Sequence, residues 1–267
     1  MIEHRWELWL ICWAASALLL GILYLRQRRT GNATLVDAGW AASVALAAIL
    51  AATLGPGNPA QRLLIGTIGA AENLRIAWLV LRRARGTDEE DTRYRELRRR
   101  WRERGREQLS FAIFYQAQAL LAALLSTVFV LAVFAHGELG AFAWAGAALW
   151  LAAASLEFLA DAQLRRFKAD PANRGKTMRS GLWRTSRHPN YFFQCLTWVA
   201  YAIVALAAPW GWLGFLSPAL LVALVLFVTG IPPSEEQALR SRGEDYRRYQ
   251  RETSPFIPWF PRPSTES

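Results

Sequence analysis

Long apolar runs constrain this chain more than any other feature. Stretches of 17 residues or more, almost free of charge, recur along it and alternate with short blocks dense in arginine. A helical run of that length spans the hydrocarbon core of a bilayer. Lipid offers backbone N–H and C=O groups no partners, so each run must bond within itself as a helix. Seven candidate spans emerge, at about 7–25, 34–54, 62–82, 109–135, 139–160, 192–208 and 211–230. The fifth is expected to continue as helix past the membrane surface to about residue 168. The expected fold is an all-α integral membrane protein. It forms a single seven-helix domain over residues 1–260, followed by a short disordered end at 261–267. No repeat and no second domain is evident in the pattern.

The basic residues orient these spans. Lys and Arg concentrate at 26–29, 82–106, 165–187 and 240–262, which hold 28 of the 31 basic residues. The connections at 55–61, 136–140 and 208–211 hold none. Seven spans with the N-terminus outside and the C-terminus cytoplasmic put every basic block on the cytoplasmic side, as the positive-inside rule requires. Topology therefore accounts for the net charge of +10. No nucleic-acid-binding motif accompanies that charge, so nucleic acid is not an expected partner. The run at 93–107 also reads as an amphipathic helix for anionic lipid. Glu3, Glu7 and the following YLRQRRTG argue against a cleaved signal peptide. Cys12 and Cys195 lie in separate spans and read as small apolar core residues. Arg outnumbers Lys 29 to 2, which suggests a GC-rich bacterial genome and hence a bacterial cytoplasmic membrane.

Ionisable groups inside apolar runs cost about 2.5–3.5 kcal/mol each on insertion scales, so each is a functional candidate. Asp37 begins the second span. Glu72, Asn73 and Arg75 sit in the third, Gln116 in the fourth, and Glu157 and Asp161 at the end of the fifth. The topology puts all of them in the cytoplasmic half. Two readings stand side by side. One is an interhelical ion pair of Arg75 with Glu72 or Asp37. The other is a polar pocket whose desolvated carboxyls stay protonated and donate to a carbonyl. The chain has no glycine-rich dinucleotide fingerprint, no Walker loop and no HExxH. Its three histidines are too widely spaced for a metal cluster, so no metal is expected.

Two segments remain to carry chemistry. Glu157 and Asp161 share a helical face, which Arg165 and Lys168 continue. Such a face offers acceptors to ribose or amide groups at one end and cations to phosphates at the other. Arg174, Lys176, Arg179, Arg184 and Arg187 follow. In the tail, Pro232 and Pro233 are expected to end the last span and Ser234 to cap the next helix. Tyr246, Tyr249, Trp259 and Phe260 are placed to return the tail to the membrane interface. Pro189 favours a helix starting at once, with Asn190 and Tyr191 at its N-terminus, where the dipole favours anions. Arg187 and His188 add donors beside it.

Three stretches, LEFLADAQLRRFK (156–168), SGLWRTSRHPNYFFQCLTWVAYAI (180–203) and EEQALRSRGEDYRRYQRETSPFIPW (235–259), resemble the C-terminal half of the steroid 5α-reductases and their bacterial relatives. The N-terminal half is similar in span layout and in NLRIAWLVLRRARG (73–86). The resemblance implies a seven-helix membrane enzyme that binds NADPH in the cytoplasmic half of its bundle, beneath the inner loops, without a Rossmann domain. The implied cofactor set is Asn73, Arg75, Glu157, Asp161, Arg165, Lys168, Lys176, Arg179, Arg187, His188, Asn190, Tyr191, Gln194, Glu235 and Tyr246. Asp161, Lys168 and Asn190 match the family pattern. Glu157 stands where the family has Asn, Gln194 where it has Glu, and Glu235 near a family His. In the family an acid in span two and a phenol in span three face the substrate carbonyl. Asp37 and Glu72 fall at about those places, with Tyr115 as a stand-in for the phenol. The implied reaction is hydride transfer to an apolar enone, such as a 3-oxo-Δ4 steroid, that enters from lipid. Membrane lipids are the other expected partners, and no obligate protein partner is evident. The Arg-His-Pro element also occurs in isoprenylcysteine-type methyltransferases that use S-adenosylmethionine. That chemistry, and a non-enzymatic sterol- or lipid-binding protein, are the alternatives.

Overall fold

The computed structural model describes residues 2–86 and 89–262, and among them every regular element is helical. The helices are α1 (Arg5–Thr30), α2 (Val36–Leu54), α3 (Pro59–Arg85), α4 (Thr92–Glu103), α5 (Glu107–Leu125), α6 (Thr127–Ala132), α7 (Ala141–Ala169), α8 (Pro189–Ala205), α9 (Leu216–Phe227), α10 (Ile231–Arg242) and α11 (Glu244–Glu252). Among the described residues six stretches are long and apolar enough to cross a membrane: α1, α2, α3, α5 with α6, α7, and the stretch Gly211–Arg242. This architecture is that of a helical integral membrane protein. The sixth expected span, 192–208, overlaps α8, whose 17 residues are not among these six stretches. The expected extension of the fifth span is present, since α7 runs to Ala169.

The chain divides into two compact units, Met1–Ala145 with Tyr201–Ser217, and Gly146–Ala200 with Pro218–Ser267. In the first, α2 packs against α3 and α1, and α1 against α5. Small residues permit this closeness, as they do wherever lipid removes the hydrophobic drive for helix association. Ala41, Ala45, Ala48 and Ala51 on α2 are buried. A Cβ on Gly66 of α3 would lie 2.5 Å from the Ala52 Cβ, and one on Gly69 would lie 3.0 Å from the Ala48 Cβ. Polar ties support the packing. Asn58 caps α3 by accepting from the Ala60 N–H at 2.8 Å, with Pro59 in the first turn where no N–H is needed. Gln61 donates to the Val204 carbonyl at 3.0 Å, and Trp9 to the Ala123 carbonyl at 3.0 Å. Large apolar side chains face outward, among them Leu18, Leu63, Leu109 and Ile113. In water this would be a liability; in a membrane it is the lipid-facing surface.

In the second unit, the segment after α7 turns twice through short 3-10 helices, at Pro171–Asn173 and Gly181–Arg184. Asp170 caps the first by accepting from the Ala172 N–H at 2.9 Å. Gly181 adopts φ of 60°, a left-handed conformation that favours glycine, and Gln163 of α7 accepts from the next N–H, that of Leu182, at 3.0 Å. Trp183 donates to the Ala160 carbonyl at 2.9 Å, which fixes the turn on α7. The tail departs from expectation at Ser234. Helix α10 begins at Ile231, so the proline pair occupies its first turn and Ser234 lies inside the helix instead of capping it. Proline is suited to that place because first-turn N–H groups have no intrahelical acceptor to lose. Tyr246 and Tyr249 are buried against Ala238 and Leu239, whereas Trp259 and Phe260 remain exposed. Of the end expected to be disordered, residues 263–267 lie outside the described residues. The Arg262 N–H donates to the Glu252 carbonyl at 2.8 Å.

Candidate functional site

In the first unit, polar side chains gather where α4 folds back onto the ends of α1, α2 and α5. The Thr34 hydroxyl accepts from the Asp91 N–H at 2.8 Å, and Glu90 accepts from the Ala33 N–H at 2.8 Å. These bonds pin the start of α4 beside the turn between α1 and α2. Asp91 then caps α4 by accepting from the Arg93 N–H at 2.9 Å. Helical spacing brings Tyr94, Leu97, Arg98 and Trp101 onto one face. Tyr94, 4% exposed, donates its phenol proton to Asp37 Oδ1 at 2.5 Å, and Arg93 donates to Asp37 Oδ2 at 2.7 Å. Arg98 bridges Glu90 at 2.8 Å and Glu107 at 2.5 Å, and its guanidinium lies over the Phe111 ring. Burial, and then the neighbouring Asp37, push the Tyr94 phenol well above its usual range. Burial alone would raise Asp91, but the hydrogen bonds from Arg93 outweigh it and hold the carboxyl below its ordinary value.

The other expected groups of this unit lie elsewhere. Glu72 is buried and pairs with Arg75 at 2.6 Å, one turn along the same helix. Gly69 meets Ala48, so Glu72 stands about level with residue 45 of the antiparallel α2. Asp37 is roughly 12 Å further along that axis, by the rise of 1.5 Å per residue. Each acid therefore has its own guanidinium. Asn73 donates to the Gly69 carbonyl of its own helix at 2.8 Å. Tyr115 is buried, with its ring 5.9 Å from that of Tyr24.

In the second unit, Arg187 is a hub. It donates to Glu235 at 2.6 Å and to the carbonyls of Gln250 at 3.0 Å and Thr253 at 2.7 Å, while its own N–H donates to the Ser254 carbonyl at 2.8 Å. Glu235 also meets His188 at 3.3 Å and accepts from Gln250 at 2.9 Å and from Tyr246 at 3.4 Å. The His188 ring stacks on that of Tyr191, whose hydroxyl is 3.2 Å from the Ser234 hydroxyl. Burial first, and then Glu235, push the Tyr246 phenol up to about 12. Tyr249 donates to the Ser186 carbonyl at 3.1 Å and to that of Trp183. Arg179 pairs with Asp245 at 2.7 Å. Arg187, His188, Glu235, Tyr246 and Arg179 thus spend their polar atoms on closing the tail over the loop at 177–188.

A second cluster lies beside α8, which begins at Pro189 as expected. Asn190 donates to Asp161 at 3.1 Å, joining two of the three residues that match the resembled family. The Asn190 Oδ1 is buried with no hydrogen-bond partner among the described residues. Glu157 is buried one turn earlier on α7, and the Arg165 guanidinium lies 5.7 Å from the Phe158 ring centroid. Lys176 is exposed, and Gln194 is partly buried. Among the described residues no group of three or more His, Cys, Asp or Glu could hold a metal ion. Sequence reasoning missed Tyr94, Arg93 and Arg98. The available signal was the four-residue spacing of Tyr94 and Arg98 ahead of an aromatic at 101.

Lipid-facing helices that bury paired acids, guanidiniums and phenols define a polytopic helical membrane protein with polar clusters at the helix ends. The chain belongs to the family described as "Protein of unknown function (DUF1295)", whose model matches residues 23–253. That family is related to the steroid 5α-reductase-like membrane proteins. No curated protein and no solved structure matches the chain.

Proposed function

We propose that this protein is an NADPH-dependent membrane reductase of a carbon–carbon double bond conjugated to a ketone, in an apolar substrate of the 3-oxo-Δ4 steroid kind. The observation that carries the reading is the Tyr94–Asp37 hydrogen bond at 2.5 Å, an acid–phenol pair beside the membrane helices. Family membership supports it. Reduction at the β-carbon drives negative charge onto the carbonyl oxygen, and a fixed donor there lowers the barrier. Tyr94 is suited to that task because its site keeps the phenol protonated. Rotation about the Cζ–Oη bond turns its proton from Asp37 to a ketone oxygen, while Arg93 stays on Asp37. The α-carbon then takes a proton from water. In this reading Tyr94 fills the phenol role for which Tyr115 was expected. Glu72 serves as the anionic half of the Arg75 pair.

When bound, NADPH supplies the hydride. The residues that would hold it are Asp161, Asn190 and Tyr191, with Arg165, Lys168 and Lys176 for its phosphates. The fit rests on Asn190, whose buried Oδ1 is an acceptor without a partner among the described residues, suited to an amide or ribose donor. Seven crossings, an N-terminus outside and basic loops in the cytoplasm of a bacterium complete the proposal. The test is to purify the full chain in mild detergent and identify co-purifying small molecules by mass spectrometry. NADP is expected. S-adenosylmethionine would overturn the reductase reading in favour of methyl transfer, and a sterol or lipid with no nucleotide would make the protein a binder.

A further inference from the structure

The turn from α4 to α5 carries a feature that the proposed reaction does not use. A cavity of about 350 Å³ opens there, lined by Arg102, Gly105, Arg106, Glu107, Gln108 and Leu109. Gly105 adopts φ of 65°, and a Cβ on it would meet nothing within 4 Å. The charge around the cavity is unbalanced. Residues 93–107 carry eight Arg against three Glu. Glu107 is shared by Arg98 and Arg102. Arg99 and Arg100 share Glu96. Arg104 and Arg106 are exposed and have no acidic partner among the described residues. Immediately beyond the cavity the surface turns apolar. Leu109 and Ile113 of α5 are each 61% exposed, and Leu120 and Leu124 extend the same stripe. A stripe of that kind faces acyl chains, so the cavity at its end lies at the depth of lipid headgroups.

We infer that this cavity binds the headgroup of an anionic phospholipid, with Arg102 and Arg106 on the phosphate oxygens and Leu109 and Ile113 against the first acyl carbons. Guanidinium forks match phosphate geometry. Gln108 adds a buried Oε1 with no hydrogen-bond partner among the described residues, an acceptor that a glycerol hydroxyl would satisfy. The inference is independent of the proposed reductase activity.

The test uses the full chain, delipidated in detergent and titrated with phosphatidylglycerol, phosphatidylcholine or inorganic phosphate, with bound lipid counted by native mass spectrometry. Phosphatidylglycerol should be retained at one site in preference to phosphatidylcholine, and inorganic phosphate should not displace it. Arg102→Gln with Arg106→Gln should lower its affinity about tenfold or more, since the charge-assisted hydrogen bonds from both guanidiniums to the phosphate are lost. Arg99→Gln with Arg100→Gln, which removes the same charge from residues that do not line the cavity, should change it less than about twofold because exposed charges without direct contact are screened. Equal losses in the two double variants would overturn the site, as would equal retention of phosphatidylcholine. Displacement by inorganic phosphate would assign the cavity to a free anion. Arg106→Gln alone guards against misfolding, because Arg106 has no acidic partner among the described residues to lose. Unchanged retention in that variant would remove Arg106 from the site.

Discussion

Tyr94→Phe deletes a single oxygen from the contact between α4 and α2. The ring stays buried, packed 6.0 Å from that of Phe114, and Asp37 keeps its Arg93 partner at 2.7 Å. The loss to folding is one hydrogen bond to a charged acceptor, about 1.5–3 kcal/mol. In the proposed reaction the loss to catalysis is larger. Removing a donor from a developing oxyanion costs about 10²–10³ in kcat, and the substrate's apolar body should leave KM nearly unchanged. The assay is NADPH oxidation by the full chain in lipid nanodiscs with a 3-oxo-Δ4 steroid, scored as kcat and KM separately and compared with Tyr115→Phe. Tyr115→Phe should retain most of the rate, because Asp37 hydrogen-bonds to Tyr94. Full activity in Tyr94→Phe, or an equal loss in both variants, would refute the assignment of the phenol.

Arg187→Met should free the tail. It takes the guanidinium from Glu235 and breaks the bonds to the Gln250 and Thr253 carbonyls, at a cost of about 3–5 kcal/mol, read as a lower unfolding midpoint and faster proteolysis near residue 250. Arg187→Lys should not restore it, since one ammonium cannot reproduce the fork. Gly66→Leu should destabilise by about 1–3 kcal/mol or more through the clash with Ala52, whereas Gly137→Leu, where a Cβ meets nothing within 4 Å, should be neutral in the same thermal scan. The Tyr246 phenol, raised to about 12 in the folded chain, is ordinarily near 10. Its contribution to stability is therefore complete below about pH 10 and lost as pH rises through about 12, and Tyr246→Phe should flatten stability across that window.

Local rules made the helices legible. The charge-poor runs mark the long helices, and Pro189 starts α8 where its fixed φ suits a first turn. Asp37 and Asn190 stand out from sequence because one interrupts an apolar run and the other opens a helix. Their partners do not. Tyr94 reaches Asp37 across 57 residues, and only the fold-back of α4 brings them together. Arg187 reads from sequence as a donor beside the N-terminus of α8, yet its partner Glu235 is 48 residues away and both are largely buried. Ser234 read as a cap because two prolines usually end a helix, whereas here they open one.

Isotope transfer would examine the proposed chemistry at the reacting carbon. The full chain is incubated with NADPH carrying deuterium at both hydrogens of the nicotinamide C4 and with a 3-oxo-Δ4 steroid, and the product is analysed by mass spectrometry and NMR. The expected product is saturated and carries a single deuterium on the former β-carbon. An unreacted steroid, or a product without the label, would contradict the reading of this protein as a hydride-transferring enone reductase.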